Sequence, residues 1–146
     1  MDLLSRYWKR LLWFAGLVCF ILWLAPRCSS SWQLKHRQEL LLKAIADRDM
    51  GDLKDLVSDN YLDDWGFKRE DILLAMDDFT VQFAMLEIQT HDPLWVTNGS
   101  EATYAARLRF SGNPLGPIGA EIKNRAARQK HPVVFHWIKE GSWPWS

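Results

Sequence analysis

Cysteine is nearly absent, with two in 146 residues. Two thiols cannot build the disulfide framework that staples many small secreted domains. No close Cys/His grouping offers a structural zinc site, so neither metal nor other cofactor is expected. An excess charge of one sign is lacking too: 18 basic side chains balance 18 acidic ones, and nothing points to a nucleic-acid partner. Length leaves room for one ordinary domain, which excludes a multidomain enzyme. What the chain does have is apolar matter, 48% of residues, with nine tryptophans, enough for a real core and too much for a disordered chain.

The balanced charge is unevenly spread. Arg6, Lys9, Arg10 and Arg27 against Asp2 leave residues 1–30 at +3. Residues 47–78 hold eleven acids and four bases, and residues 101–131 six bases and two acids. Leu11 to Leu24 is an uninterrupted apolar run of fourteen residues. As a helix it reaches ~21 Å, short of a ~30 Å hydrocarbon core. Tyr7, Trp8 and the stems of Lys9 and Arg10 close the deficit by lying at the interface. The expected anchor is carried by Trp8, Leu11, Trp13, Phe14, Leu17, Phe20, Leu22, Trp23 and Leu24. The basic flank Arg6, Lys9, Arg10 places the N-terminus inside and the following domain outside. A cleaved signal peptide is the competing reading, but Arg27 occupies a position that cleavage wants small. Residues 1–28 therefore read as a cytoplasmic tip and transmembrane signal-anchor, and residues 29–146 as one domain on the outer side of the inner (cell) membrane. The alternative is a secreted domain after signal cleavage.

Beyond the Ser29-Ser30-Ser31 joint, Trp32 to Arg48 has helical spacing, with Leu34, Leu41 and Ile45 on one stripe and Gly51 as its stop. A short helix follows over Asp52–Val57. Another covers Lys68–Asp78, where Ile72, Ala75, Met76 and Phe79 repeat at helical intervals. After Phe79 the period becomes two. Thr80–Thr90 reads as a strand with Val81, Phe83 and Met85 on one face. Pro93 interrupts it, Leu94–Thr97 resumes it, and Asn98-Gly99 makes a hairpin turn. Ala102, Tyr104, Ala106, Leu108 and Phe110 then alternate with Thr103, Ala105, Arg107 and Arg109, as in a sheet with one wet face. Ser111–Pro117 reads as a loop, and Ile118, Ala120 and Ile122 as a further strand. Val133–Lys139 supplies the last strand.

Helices followed by antiparallel strands make an α+β fold: two to three helices on a curved antiparallel sheet, a cone-like half barrel. The opening Ala44-Ile45-Ala46-Asp47-Arg48-Asp49 with Leu53 and Leu56, and the ending Phe135-His136-Trp137-Ile138-Lys139-Glu140-Gly141-Ser142-Trp143, resemble the nuclear transport factor 2-like superfamily, which includes ketosteroid isomerases and polyketide cyclases. The resemblance implies a cone whose terminal Trp packs back on the sheet. In enzymes it implies an Asp or His base in an apolar pocket with an oxyanion hole; in other members, an open sheet face that serves as a dimer surface.

No residue set matches the family's catalytic pattern position by position, so no catalytic residue is carried over. Asp47-x-Asp49 has calcium-loop flavour, but its glycine falls one position early and its twelfth residue is Ser58. His36, His91, His131 and His136 form no metal pair on one helix face. The pocket candidates are Tyr61, Trp65, Tyr104, His136 and Trp137. Missing a catalytic set, the chain reads as a single-pass membrane-anchored module for binding or assembly and not as an enzyme. Its expected partners are the membrane and either a second copy or a membrane-complex component. The alternative is a small-molecule isomerase or cyclase that uses the cone pocket.

Overall fold

The computed structural model describes residues 30–140. The expected anchor lies outside them; among the described residues no helix is long and apolar enough to cross a membrane. Residues 36–140 belong to one compact unit. The element order is α1 (Ser30–Asp47), α2 (Met50–Leu56), α3 (Arg69–Thr80), β1 (Phe83–Asn98), β2 (Glu101–Pro114), α4 (Gly116–Ala127) and β3 (Val133–Ile138).

Helix α1 buries Gln38, Leu41, Ala44 and Ile45, one turn apart on one stripe as helical geometry requires. It ends at Arg48, which adopts φ 59°, while the Asp49 amide bonds back to the Ala44 carbonyl at 2.9 Å. Gly51, expected to stop this helix, lies inside α2 instead. Asp49 begins α2 by accepting the Asp52 amide on Oδ1 at 3.0 Å, the usual role of an acidic N-cap. Leu53 and Leu56 then point into the core. Asp71 accepts the Lys68 amide at 3.0 Å and so closes the first turn of α3. The Arg69 guanidinium bonds both Asp59 and the Lys54 carbonyl, tying α3 to the end of α2.

The sheet is antiparallel in the order β1-β2-β3. Asn98-Gly99 turns the hairpin, with Gly99 at φ 61°. The alternation read from β2 holds: Ala102, Tyr104, Ala106 and Leu108 are buried, while Arg107 and Arg109 are exposed. Two register breaks bend β1, one between Phe83 and Met85 and one between His91 and Leu94. The first sends Met85 to solvent and keeps Phe83 and Leu86 inside, so Phe83 and Met85 do not share a face as the simple period implied. Gly112 sits against this bulge at φ 129°; a Cβ there would lie 2.0 Å from the Met85 carbonyl oxygen, and only glycine fits.

Ile118 to Lys123 is not a strand. It lies in α4, which carries Pro117 in its first turn and an Arg125–Glu121 pair one turn apart at 2.8 Å. The inward residues are Gly119, Ile122, Lys123 and Ala126, spaced by three and four, so the six-residue alternation was a coincidence of a longer helical period. The described sheet thus has three strands with four helices around it. β3 pairs only with Glu101–Ala106, and α4 packs on β2, with Lys123 Nζ donating to the Gly112 carbonyl at 3.2 Å.

Candidate functional site

The buried face of the sheet holds two of the five pocket candidates. Tyr104 stands in the middle strand and is 4% exposed. Its ring lies between Trp95 and Phe135, its register partners in β1 and β3, with ring centroids 4.5 and 5.9 Å away. Cross-strand aromatic rows of this kind stabilise a sheet pairwise. Trp137 lies opposite Ala102 in β3 and is 3% exposed. Its indole N–H donates to Gln38 Oε1 at 2.9 Å, which joins β3 to α1. Gln38 Nε2 is buried without a hydrogen-bond partner. Phe79 extends the aromatic packing at the other end of the sheet, 5.5 Å from Phe83 and 5.2 Å from Phe110.

The other three candidates are elsewhere. His136 follows the strand alternation to the opposite, exposed face, where its Nδ1 lies 3.5 Å from Thr103 Oγ1. Tyr61 and Trp65 belong to the loop between α2 and α3. Tyr61 is half-buried, and its phenol is pushed above its ordinary pKa by burial and then by the nearby Asp63 carboxylate. Trp65 is 83% exposed. Asp63 organises this loop by accepting the amides of Trp65 at 2.9 Å and Phe67 at 2.8 Å, the turn-forming habit of aspartate. Tyr104 and Trp137 are therefore brought to one face, and His136, Trp65 and Tyr61 do not join them.

Gln38 went unnoticed in the sequence, although its position between Leu34, Leu41 and Ile45 on an apolar stripe was the available signal. A polar side chain on such a stripe needs a partner, and here it is the tryptophan 99 residues away. The exposed sheet face was legible only as alternation. On it Leu94, Val96, Val134 and Ile138 are each about half exposed or more. Leu94 pairs across to Ala105 and on to Val134, and in the next row Val96 pairs across to Thr103 and on to His136, with Ile138 beyond it opposite Glu101. Neither of the two described cavities is lined by any of the five candidates. One, of about 210 Å³, lies at His91, Arg107 and Arg109; the other, of about 380 Å³, lies on α4 at Ile118 and Ile122. Among the described residues no three His, Cys, Asp or Glu side chains gather as a metal site would require.

Helices precede a bent antiparallel hairpin closed by β3, the arrangement of an NTF2-like fold; Trp143, the terminal Trp of the resemblance, lies outside the described residues. An NTF2-like protein from Cytophaga hutchinsonii superposes with a TM-score of 0.52 at 15% identity, covering 77% of this chain and 87% of its own. Bd1075 of Bdellovibrio bacteriovorus superposes with a TM-score of 0.53 at 12% identity, over 75% of this chain; the match spans 35% of Bd1075. These likenesses concern the fold alone. No family profile matches the sequence, and no curated protein matches it.

Proposed function

We propose that this chain is a single-pass, membrane-anchored protein whose α+β domain faces outward and serves binding or assembly, docking a second copy of itself through the exposed face of its sheet. The observation that carries the reading is the contrast between the two faces. On the buried face Tyr104 is flanked by rings and Trp137 is engaged with Gln38. An isomerase or cyclase needs a base beside open space. On the other face Leu94, Val96, Val134 and Ile138 remain in water. Contiguous exposed apolar side chains mark interaction surfaces, and one patch meeting its own copy about a two-fold axis is the commonest closed assembly. The anchor rests on Leu11–Leu24 with its basic and aromatic flanks.

The full-length protein should stay in the membrane pellet through alkaline carbonate washing and, after extraction in neutral detergent, sediment as a dimer. The Val96→Glu/Val134→Glu variant should remain in the pellet with an unchanged circular dichroism spectrum and sediment as a monomer. Release by carbonate would remove the anchor from the proposal. A monomeric wild type would remove the docking face.

A further inference from the structure

We infer that Arg107, Arg109, His91 and Gln129 form a seat for a small oxyanion, a phosphate or carboxylate group. The seat exists because of how β2 is covered. β3 pairs with β2 only as far as Ala106, opposite Val133, and α4 ends at Ala127. Between these two covers, Arg107 to Arg109 border a cavity of about 210 Å³, which Ala126 and Gln129 close from the side of α4. Pockets for drug-sized ligands start at about 300 Å³, so this one has room for a small group such as a phosphate or a short carboxylate.

Its chemistry is that of an anion site. Two guanidinium groups line it against the single carboxylate of Asp92, and that carboxylate is already paired with Arg107. The Arg109 side chain makes no ion pair or hydrogen bond among the described residues. Its planar fork of N–H donors suits an incoming oxyanion, and the Gln129 amide and His91 imidazole add further polar atoms at the wall. The neighbouring acids are already engaged: Glu121 by Arg125, and Glu87, one row from Arg109 on the same face, by Gln89 and Ser111.

The backbone shapes the same spot. Asp92 is a non-glycine residue at φ 52°, inside the register break between His91 and Leu94. Such conformations gather at working sites. The turn brings the Asp92 carboxylate onto Arg107 and thereby fixes one guanidinium at the rim. Arg107 lies on the same face as the apolar side chains, one row from Leu94, Ala105 and Val134, but the seat uses none of them, and anion binding is read separately from the oligomeric state.

The test is calorimetric titration of the full-length protein in neutral detergent at fixed chloride concentration, with two probes. Inorganic phosphate represents a soluble anion, and glycerophosphorylglycerol represents a lipid headgroup diester. Binding of either supports the seat, and the tighter probe names the source. Arg109→Gln should weaken binding at least about tenfold, the loss of one good charged hydrogen bond. Lys43→Gln removes the same charge on the exposed side of α1, away from the cavity lining, and should leave binding unchanged. Absence of binding to both probes overturns the inference. So does equal weakening by the two variants, which would mean general surface charge, or an unchanged affinity in Arg109→Gln.

Discussion

Trp137 and Gln38 show what one buried polar pair does for a small core. The indole N–H leaves water and finds the amide oxygen, while the amide nitrogen stays unpaired. Trp137→Phe keeps much of the ring volume and removes the donor, leaving both ends of the Gln38 amide buried without partners. Unsatisfied buried polar groups cost about 1–3 kcal/mol each, so urea denaturation should show a loss in that range. Adding Gln38→Leu should recover most of it, because an apolar side chain there has nothing left to satisfy. If the double variant is no more stable than Trp137→Phe, ring packing and not the hydrogen bond carries the effect.

At the level of elements, the reading from sequence succeeded where a pattern ran long and failed where it was short. The stripe Leu41, Ala44, Ile45 fixed α1, and the alternation of β2 predicted its buried residues Ala102, Tyr104, Ala106 and Leu108, with Phe110 only half-buried. Asn98-Gly99 marked the hairpin turn correctly. The α4 segment deceived because Ile118, Ala120 and Ile122 alternate, whereas the residue that decides its packing is the unremarkable Gly119. Of the pocket candidates, alternation put Tyr104 on the apolar stripe, but it could not say whether Trp137 or His136 points inward, nor that α1 reaches up to occupy Trp137. The cavity at Arg107 was invisible, since it depends on where β3 stops pairing. Gly119 offers a test of sign. Helix propensity alone predicts that Gly119→Ala stabilises by about 1 kcal/mol. The added Cβ would lie 2.3 Å from the Gln82 carbonyl oxygen and 2.9 Å from Pro114 Cβ. The variant should therefore unfold at lower denaturant than wild type, as α4 is pushed off β2; a gain in midpoint would contradict the close packing.

For the molecule as a whole, surface electrostatics give stability a pH dependence at both ends. Hydrogen bonds from Gln89 and then Ser111 lower the Glu87 pKa, Arg107 lowers that of Asp92, and Arg125 that of Glu121. A carboxyl whose folded pKa lies below its unfolded one stabilises the fold above the ordinary carboxylate range and loses that contribution as pH falls through the folded value. The denaturation midpoint should accordingly drop below about pH 4, and Glu87→Gln with Glu121→Gln should flatten that limb. Tyr61 acts oppositely: its raised pKa favours the fold below about pH 10 and the benefit is lost as pH climbs through the raised value. An acid limb unaltered by the two glutamines would place the sensitivity in other groups.

The Gln38–Trp137 bond also has a meaning in time. Its partners are 99 residues apart, so a ribosome has delivered α1, the hairpin and α4 before the indole exists. Helices and hairpin can form as they emerge, being built from near neighbours. The aromatic row across Tyr104 lacks Phe135, and Gln38 lacks its donor, until β3 has left the exit tunnel. The domain therefore completes itself only once β3 has emerged, and until then the nascent chain shows its helpers the face that the finished protein hides.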